Sequence, residues 1–154
     1  MFSIRSLVSV RESSGKRWEG AGDGIMNSHI IVQIMLCALA CEPAEIRVWD
    51  GDSLRLGMSS QAEAVRIFNI DAPEIEGGCA EESALAQRAK VRLAELLDGG
   101  QIEILRQGAD RYGRTLAAVR VDGVDVGDQL VREGLARTWA GRREPWCGGD
   151  GSIL

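Results

Sequence analysis

Arg66-Ile67-Phe68-Asn69-Ile70-Asp71-Ala72-Pro73-Glu74 reads as the end of a strand running into a carboxylate cluster. Ala62 to Ile70 has the extended, apolar character of a strand, with one cation, Arg66, inside it. Asp71 and Glu74 then flank Pro73, whose ring fixes the backbone and removes a donor, leaving neighbouring carbonyls free to bind a cation. Alternation puts residues five apart on opposite faces, so a bulge or the strand's end must intervene if Arg66 and Asp71 are to meet. Taken alone, the plainer reading is an edge-strand arginine ahead of a proline turn.

Working upstream, Ala44 to Trp49 is an extended run, and Ser53-Leu54-Arg55-Leu56 alternates. Between them lies Asp50-Gly51-Asp52, which alone is an ordinary turn. On extended chain its two carboxylates, two residues apart, point the same way, and converging oxygens are what a hard divalent cation requires. Downstream, Ala80 to Leu97 is the strongest helix. Leu85, Ala89, Leu93, Leu96 and Leu97 recur at helical spacing, Glu82, Gln87, Lys90 and Glu95 fall elsewhere, and Gly99-Gly100 ends it. Glu81 and Glu82 sit in the first turn, where the helix dipole favours acids. Gln101 to Arg106 and Thr115 to Val121 read as strands joined by a polar loop that contains Asp110-Arg111-Tyr112-Gly113-Arg114. Asp122-Gly123 is a hairpin turn. A short helix near Val126 to Gly134, a segment Leu135 to Trp139 and a tail rich in Gly and Arg complete the chain.

The 154 residues suit one domain, and with 45% hydrophobic but only 5% aromatic residues its core must be aliphatic. Met1 to Ile25 shows no sustained period and reads as disordered. Ile30 to Ala40 is an apolar run of signal-peptide size, too short for a bilayer, ending in Ala38-Leu39-Ala40. The expectation is an exported protein, periplasmic or secreted, with a leader over 1–40, Met26 as the true start and no stable membrane span. Cys41, directly after Ala40, keeps a lipid anchor open as an alternative. The sole histidine, His29, lies in that leader, so histidine-based triads and histidine-ligated zinc are excluded from the mature domain. Without residues 1–41 the chain holds 14 Lys and Arg against 20 Asp and Glu, a balance opposed to tight nonspecific DNA binding. A metal ion would soften that locally.

Together, Asp50-Gly51-Asp52-Ser53, Arg66 with Asp71-Ala72-Pro73-Glu74, Asp110-Arg111-Tyr112-Gly113-Arg114 and Leu130-Val131-Arg132-Glu133-Gly134-Leu135-Ala136, in this order, resemble the staphylococcal nuclease family over roughly 44–140. The resemblance implies a mainly β fold with α: a five-stranded OB-type barrel with one long and one short helix. It also implies Ca²⁺ (Mg²⁺ as an alternative) held by Asp52, Asp71 and the main-chain carbonyl of Ala72, with Asp50 in support. Glu74 is implied as general base, Arg66 and Arg114 as catalytic residues that bind the phosphate and stabilise the transition state, and Arg111 with Tyr112 beside the nucleotide's phosphate end. The substrate would be DNA, RNA or both, cut by an endonuclease; a monomer is the default expectation for a small exported enzyme. Ala72 stands where the family often has Thr, and the tail Ala140 to Cys147 lacks the family's nucleotide-holding tyrosines. The alternative is a noncatalytic OB-type module binding nucleic acid or another ligand.

The nuclease domain is set at 41–147, with 148–154 a flexible tail. Cleavage after Ala40 leaves Cys41, Cys79 and Cys147 in an oxidising compartment, and a Cys79–Cys147 disulfide is expected, two buried free thiols being the alternative. Trp139 and Trp146 read first as packing at the barrel edge and second as base-stacking platforms. Arg137, Arg142 and Arg143 read first as a solvated basic tail and second as phosphate contacts.

Overall fold

The computed structural model describes residues 2–12, 43–57, 59–150 and 152–153. The leader's apolar run, Met26 and Cys41 lie outside them. In chain order the elements are β1 (Phe2–Glu12), β2 (Pro43–Val48), β3 (Ser53–Leu56), β4 (Glu63–Ile67) and β5 (Ile70–Asp71), then helix α1 (Ala80–Leu97). They continue with β6 (Ile102–Ala109), β7 (Thr115–Val121), β8 (Val124–Asp125), helix α2 (Val126–Arg132) and β9 (Arg137–Thr138).

Among the described residues strands dominate, with one long and one short helix. The main sheet has seven strands in the order β4-β3-β2-β1-β6-β7-β8, and β4 pairs in addition with β7, in parallel. A separate two-stranded ribbon joins β5 to β9. The main sheet holds two strands beyond the expected five, the two-residue β8 and β1, and Phe2–Glu12, read as disordered, forms β1. It lies antiparallel to β2 and parallel to β6. Ile4 and Val8 on it are buried. The period-two signal Phe2, Ile4, Val8, Val10 is broken by Ser6, which is why pattern alone missed it.

The remaining elements follow local chemistry. The Leu85–Ala89–Leu93–Leu97 stripe of α1 is buried, and Leu93 and Leu97 share the hydrophobic core with Ile46, Leu54, Ile102 and Ile104 of the sheet. Glu82, assigned by spacing to the other face, is buried too, since it caps a loop rather than meeting solvent. Asp122 and Gly123 both take positive φ, 50° and 83°, and turn β7 into β8. Asp125 accepts hydrogen bonds from the Gly127 and Asp128 amides and so starts α2.

Two local features set the site. β4 stops at Ile67, and the chain turns through Phe68 and Asn69, the latter at φ 63°. That turn breaks the alternation and brings Arg66 and Asp71 to one side. Gly51 is pressed between α1 and the loop after β5: a Cβ there would stand 2.7 Å from Ala89 Cβ and 2.9 Å from Ala72 Cβ. The glycine of Asp50-Gly51-Asp52 is thus a packing requirement, and the small Ala72 is part of it.

Candidate active site

Asp52 sits in the loop ahead of β3 and is buried. Its Oδ1 accepts from Ser53 Oγ at 2.9 Å and its Oδ2 from the Ala72 amide at 3.1 Å. The second of these ties the first acidic loop to the second. Arg66 completes the shell, with Nη1 at 3.1 Å from Asp52 Oδ2 and Nη2 at 3.6 Å from Asp71 Oδ1. Asp50 lies close by, its Oδ1 accepting from the Asp52 amide at 3.0 Å. Burial, and then the neighbouring Asp52 carboxylate, push Asp50 up from 3.8 to about 6.

Asp71 is buried at the end of β5, where its Oδ2 accepts from Trp146 Nε1 at 3.3 Å. Burial raises its carboxyl above the ordinary range, against the opposing pull of Arg143 and the Trp146 bond. Among the described residues its Oδ1 accepts no hydrogen bond, although two guanidiniums lie within 4 Å. A buried carboxylate oxygen without a hydrogen bond is suited to serve as a ligand to a cation. The donor set around it is all oxygen, which suits Ca²⁺ or Mg²⁺ over softer metals.

Glu74, on the irregular segment between β5 and α1, is half exposed and is bound by Arg143 Nη1 at 2.6 Å. Arg143 reaches further, with Nη1 at 3.5 Å from Asp71 Oδ1 and Nη2 at 3.4 Å from the Ala72 carbonyl and 3.5 Å from Glu82 Oε1. Buried Glu82 in turn accepts from the Glu74 amide at 3.2 Å and the Gly78 amide at 2.8 Å, fixing the loop that carries Glu74.

The structure therefore brings Asp50, Asp52, Arg66, Asp71, Ala72 and Glu74 together. Arg114 stands apart. Its Nε donates to Asp110 Oδ2 at 2.7 Å within its own loop, although the β4–β7 register places Leu116 opposite Arg66. Tyr112 is exposed beside it, with Arg111 at 4.8 Å from the ring centre.

Arg143 and Glu82 are the residues that sequence reasoning placed elsewhere, on a solvated tail and an outer helix face. No local signal distinguishes Arg143 from Arg142, which is exposed and paired with Glu144. The clue lay at longer range, in the cysteines. Cys79 and Cys147 form a disulfide that returns the tail to the start of α1. Trp146 is buried rather than at an edge, under Arg137 at 3.8 Å from the ring centre, and Arg137 also donates to the Pro145 carbonyl at 3.0 Å. Trp139 flanks Arg66 at 5.8 Å. Arg137, Arg142, Arg143, Glu144 and Pro145 line an open groove of about 710 Å³ beside the carboxylates.

The OB-type sheet thus carries two buried carboxylates, Asp52 and Asp71, with the Arg66 guanidinium between them and a groove lined by arginines alongside. Residues 64–148 match the staphylococcal nuclease homologue family, and the chain belongs to that family. An endonuclease of Haemophilus influenzae, described as uncharacterized, is 32% identical over 75% of this chain and 63% of its own length. The micrococcal nuclease of Shigella flexneri is 34% identical over 63% of this chain and 56% of its own. The prophage-derived endonuclease YokF of Bacillus subtilis is 35% identical over 59% of this chain and 32% of its own. The chain thus spans about a third to two thirds of the length of these curated relatives.

Proposed function

We propose that the chain is a Ca²⁺-dependent endonuclease, with Mg²⁺ as a possible substitute, that hydrolyses phosphodiester bonds of DNA, RNA or both. The observation that carries this reading is that Arg66 joins the buried carboxylates of Asp52 and Asp71, and that Asp71 Oδ1 accepts no hydrogen bond among the described residues. Asp52, Asp71 and the Ala72 carbonyl would hold the metal, with Asp50 supporting them. When bound, the cation neutralises these carboxylates and polarises a phosphoryl oxygen.

The chain's own groups supply the rest. Glu74 takes the proton from water as the water oxygen bonds to phosphorus, and the opposite P–O bond breaks with its electron pair going to the leaving oxygen, which takes a proton from solvent water. Negative charge grows on the equatorial oxygens, and a planar guanidinium donating two N–H groups is matched to it. Arg66 is already at the carboxylates. Arg114 reaches the phosphate by exchanging Asp110 for it. Arg111 and Tyr112 lie beside the phosphate end of the nucleotide.

The test is cleavage of single-stranded DNA and RNA with Ca²⁺ and with chelator, beside Glu74→Gln. Expected is cleavage that vanishes with chelator and falls on the order of 100-fold or more in the variant. A folded protein inert under every divalent cation would favour the binding-module reading.

The reading includes export as a monomer, with cleavage after Ala40. Among the described residues no helix is long and apolar enough to cross a membrane. A chain cut there would lack β1, so N-terminal sequencing of the native protein discriminates directly. A start at residue 41 supports export, and a retained Phe2–Glu12 opposes it.

A further inference from the structure

We propose that Arg143 is a positioning residue of the active site, holding the Glu74 carboxylate against the Asp71–Ala72 edge. The inference rests on the reading of Glu74 as general base. Glu74 sits on a segment without regular structure and its side chain is half exposed, so nothing in the local backbone fixes the carboxylate. The 2.6 Å contact from Arg143 Nη1 does so from outside. A proton acceptor misplaced by an ångström loses much of its rate, which gives such a contact catalytic weight.

Arg143 is itself firmly placed. Four residues on, Cys147 is bonded to Cys79, and between them Trp146 is buried and donates to Asp71. The guanidinium is braced from the other side by Glu82, at 3.5 Å, the same buried carboxylate that accepts from the Glu74 amide. Arg143 and Glu82 thus grip Glu74 at its side chain and its backbone. A residue reserved for phosphate would turn its N–H groups outward, whereas both Nη atoms of Arg143 face protein acceptors.

The experiment is steady-state cleavage of single-stranded DNA in Ca²⁺ by wild type, Arg143→Gln, Arg143→Lys, Glu74→Gln and the Glu74→Gln/Arg143→Gln double variant. Each protein is first checked for folding by its thermal melt. Expected is a kcat reduced about 10- to 100-fold in Arg143→Gln, from loss of a charged hydrogen bond, with KM within about twofold of wild type. Arg143→Lys recovers part of the loss. The double variant is no more than about twofold slower than Glu74→Gln, because the two residues act as one unit. An unchanged kcat, a raised KM with kcat intact, or a further full loss in the Glu74→Gln background overturns the inference. Wild-type cleavage with an undiminished Arg143→Gln sinks the positioning role alone, whereas a wild type that cuts nothing removes the nuclease reading and this inference with it.

Discussion

Asp50 shows what burying a second carboxylate beside Asp52 costs. Its carboxyl is raised to about 6, first by burial and then by Asp52. Between 3.8 and 6 the folded protein keeps a proton that the unfolded chain gives up, so metal-free stability declines as pH rises through that window. Above it the ionised carboxylate is a standing cost, which solvent at this partly exposed group moderates. Asp50→Asn is therefore expected to raise the melting temperature of the metal-free protein by a few degrees at pH 7 and to leave it nearly unchanged at pH 3.5. Melts at the two pH values check this, and equal shifts at both would show that charge is not the cause. Much of this residue scale was legible in the sequence. Asp50, Asp52, Arg66, Asp71 and Glu74 were legible through spacing and resemblance, the first four lying on or close to short strands and Glu74 just past Pro73. Arg143 and Glu82 were not, because their roles depend on which segment folds back over which, and one sequence does not encode that locally.

At the scale of elements, the sheet is fastened by a polar clamp as well as by its core. Arg106 on β6 grips Glu63 on β4 through two hydrogen bonds, at 2.9 and 2.6 Å, and Thr115 on β7 adds a third at 2.7 Å. The Arg106 bonds hold Glu63 below its ordinary value of 4.5, with Thr115 assisting. A depressed acid stabilises the fold above its unfolded pKa, and that contribution is lost as pH falls through the folded value. Glu63→Gln should lower stability at pH 7 by about 1 kcal/mol, a partly solvated clamp being worth little more. The deficit relative to wild type should shrink as pH falls below 4.5, and a deficit constant from pH 7 to pH 3 would count against the ionic account. The strands Ser53–Leu56 and Thr115–Val121 were readable to the residue because alternation and turn residues agree there. β6 runs three residues past its expected end at Arg106, since its pairing with β7 continues beyond a bulge between Arg106 and Gly108.

For the whole molecule, the Cys79–Cys147 bond spans 68 residues and joins the start of α1 to the tail. In the chain-entropy model such a loop is worth roughly 4 kcal/mol. Its placement matters as much as its size, because the tail it secures carries Trp146 and Arg143 to Asp71 and Glu74. The paired Cys79→Ser/Cys147→Ser variant is expected to melt lower and to lose cleavage even at temperatures where circular dichroism shows it fully folded. Full activity in the folded variant would mean that the tail holds its place unaided.

That bond ties the site to its surroundings. Thiols stay reduced where a cell keeps its own chromosome and transcripts, and disulfides form after a chain has left that space. In the proposed nuclease, a tail fastened by an oxidised link would bring Arg143 to Glu74 in full only once the chain meets an oxidising compartment, so the order of folding and oxidation would set when the site is complete.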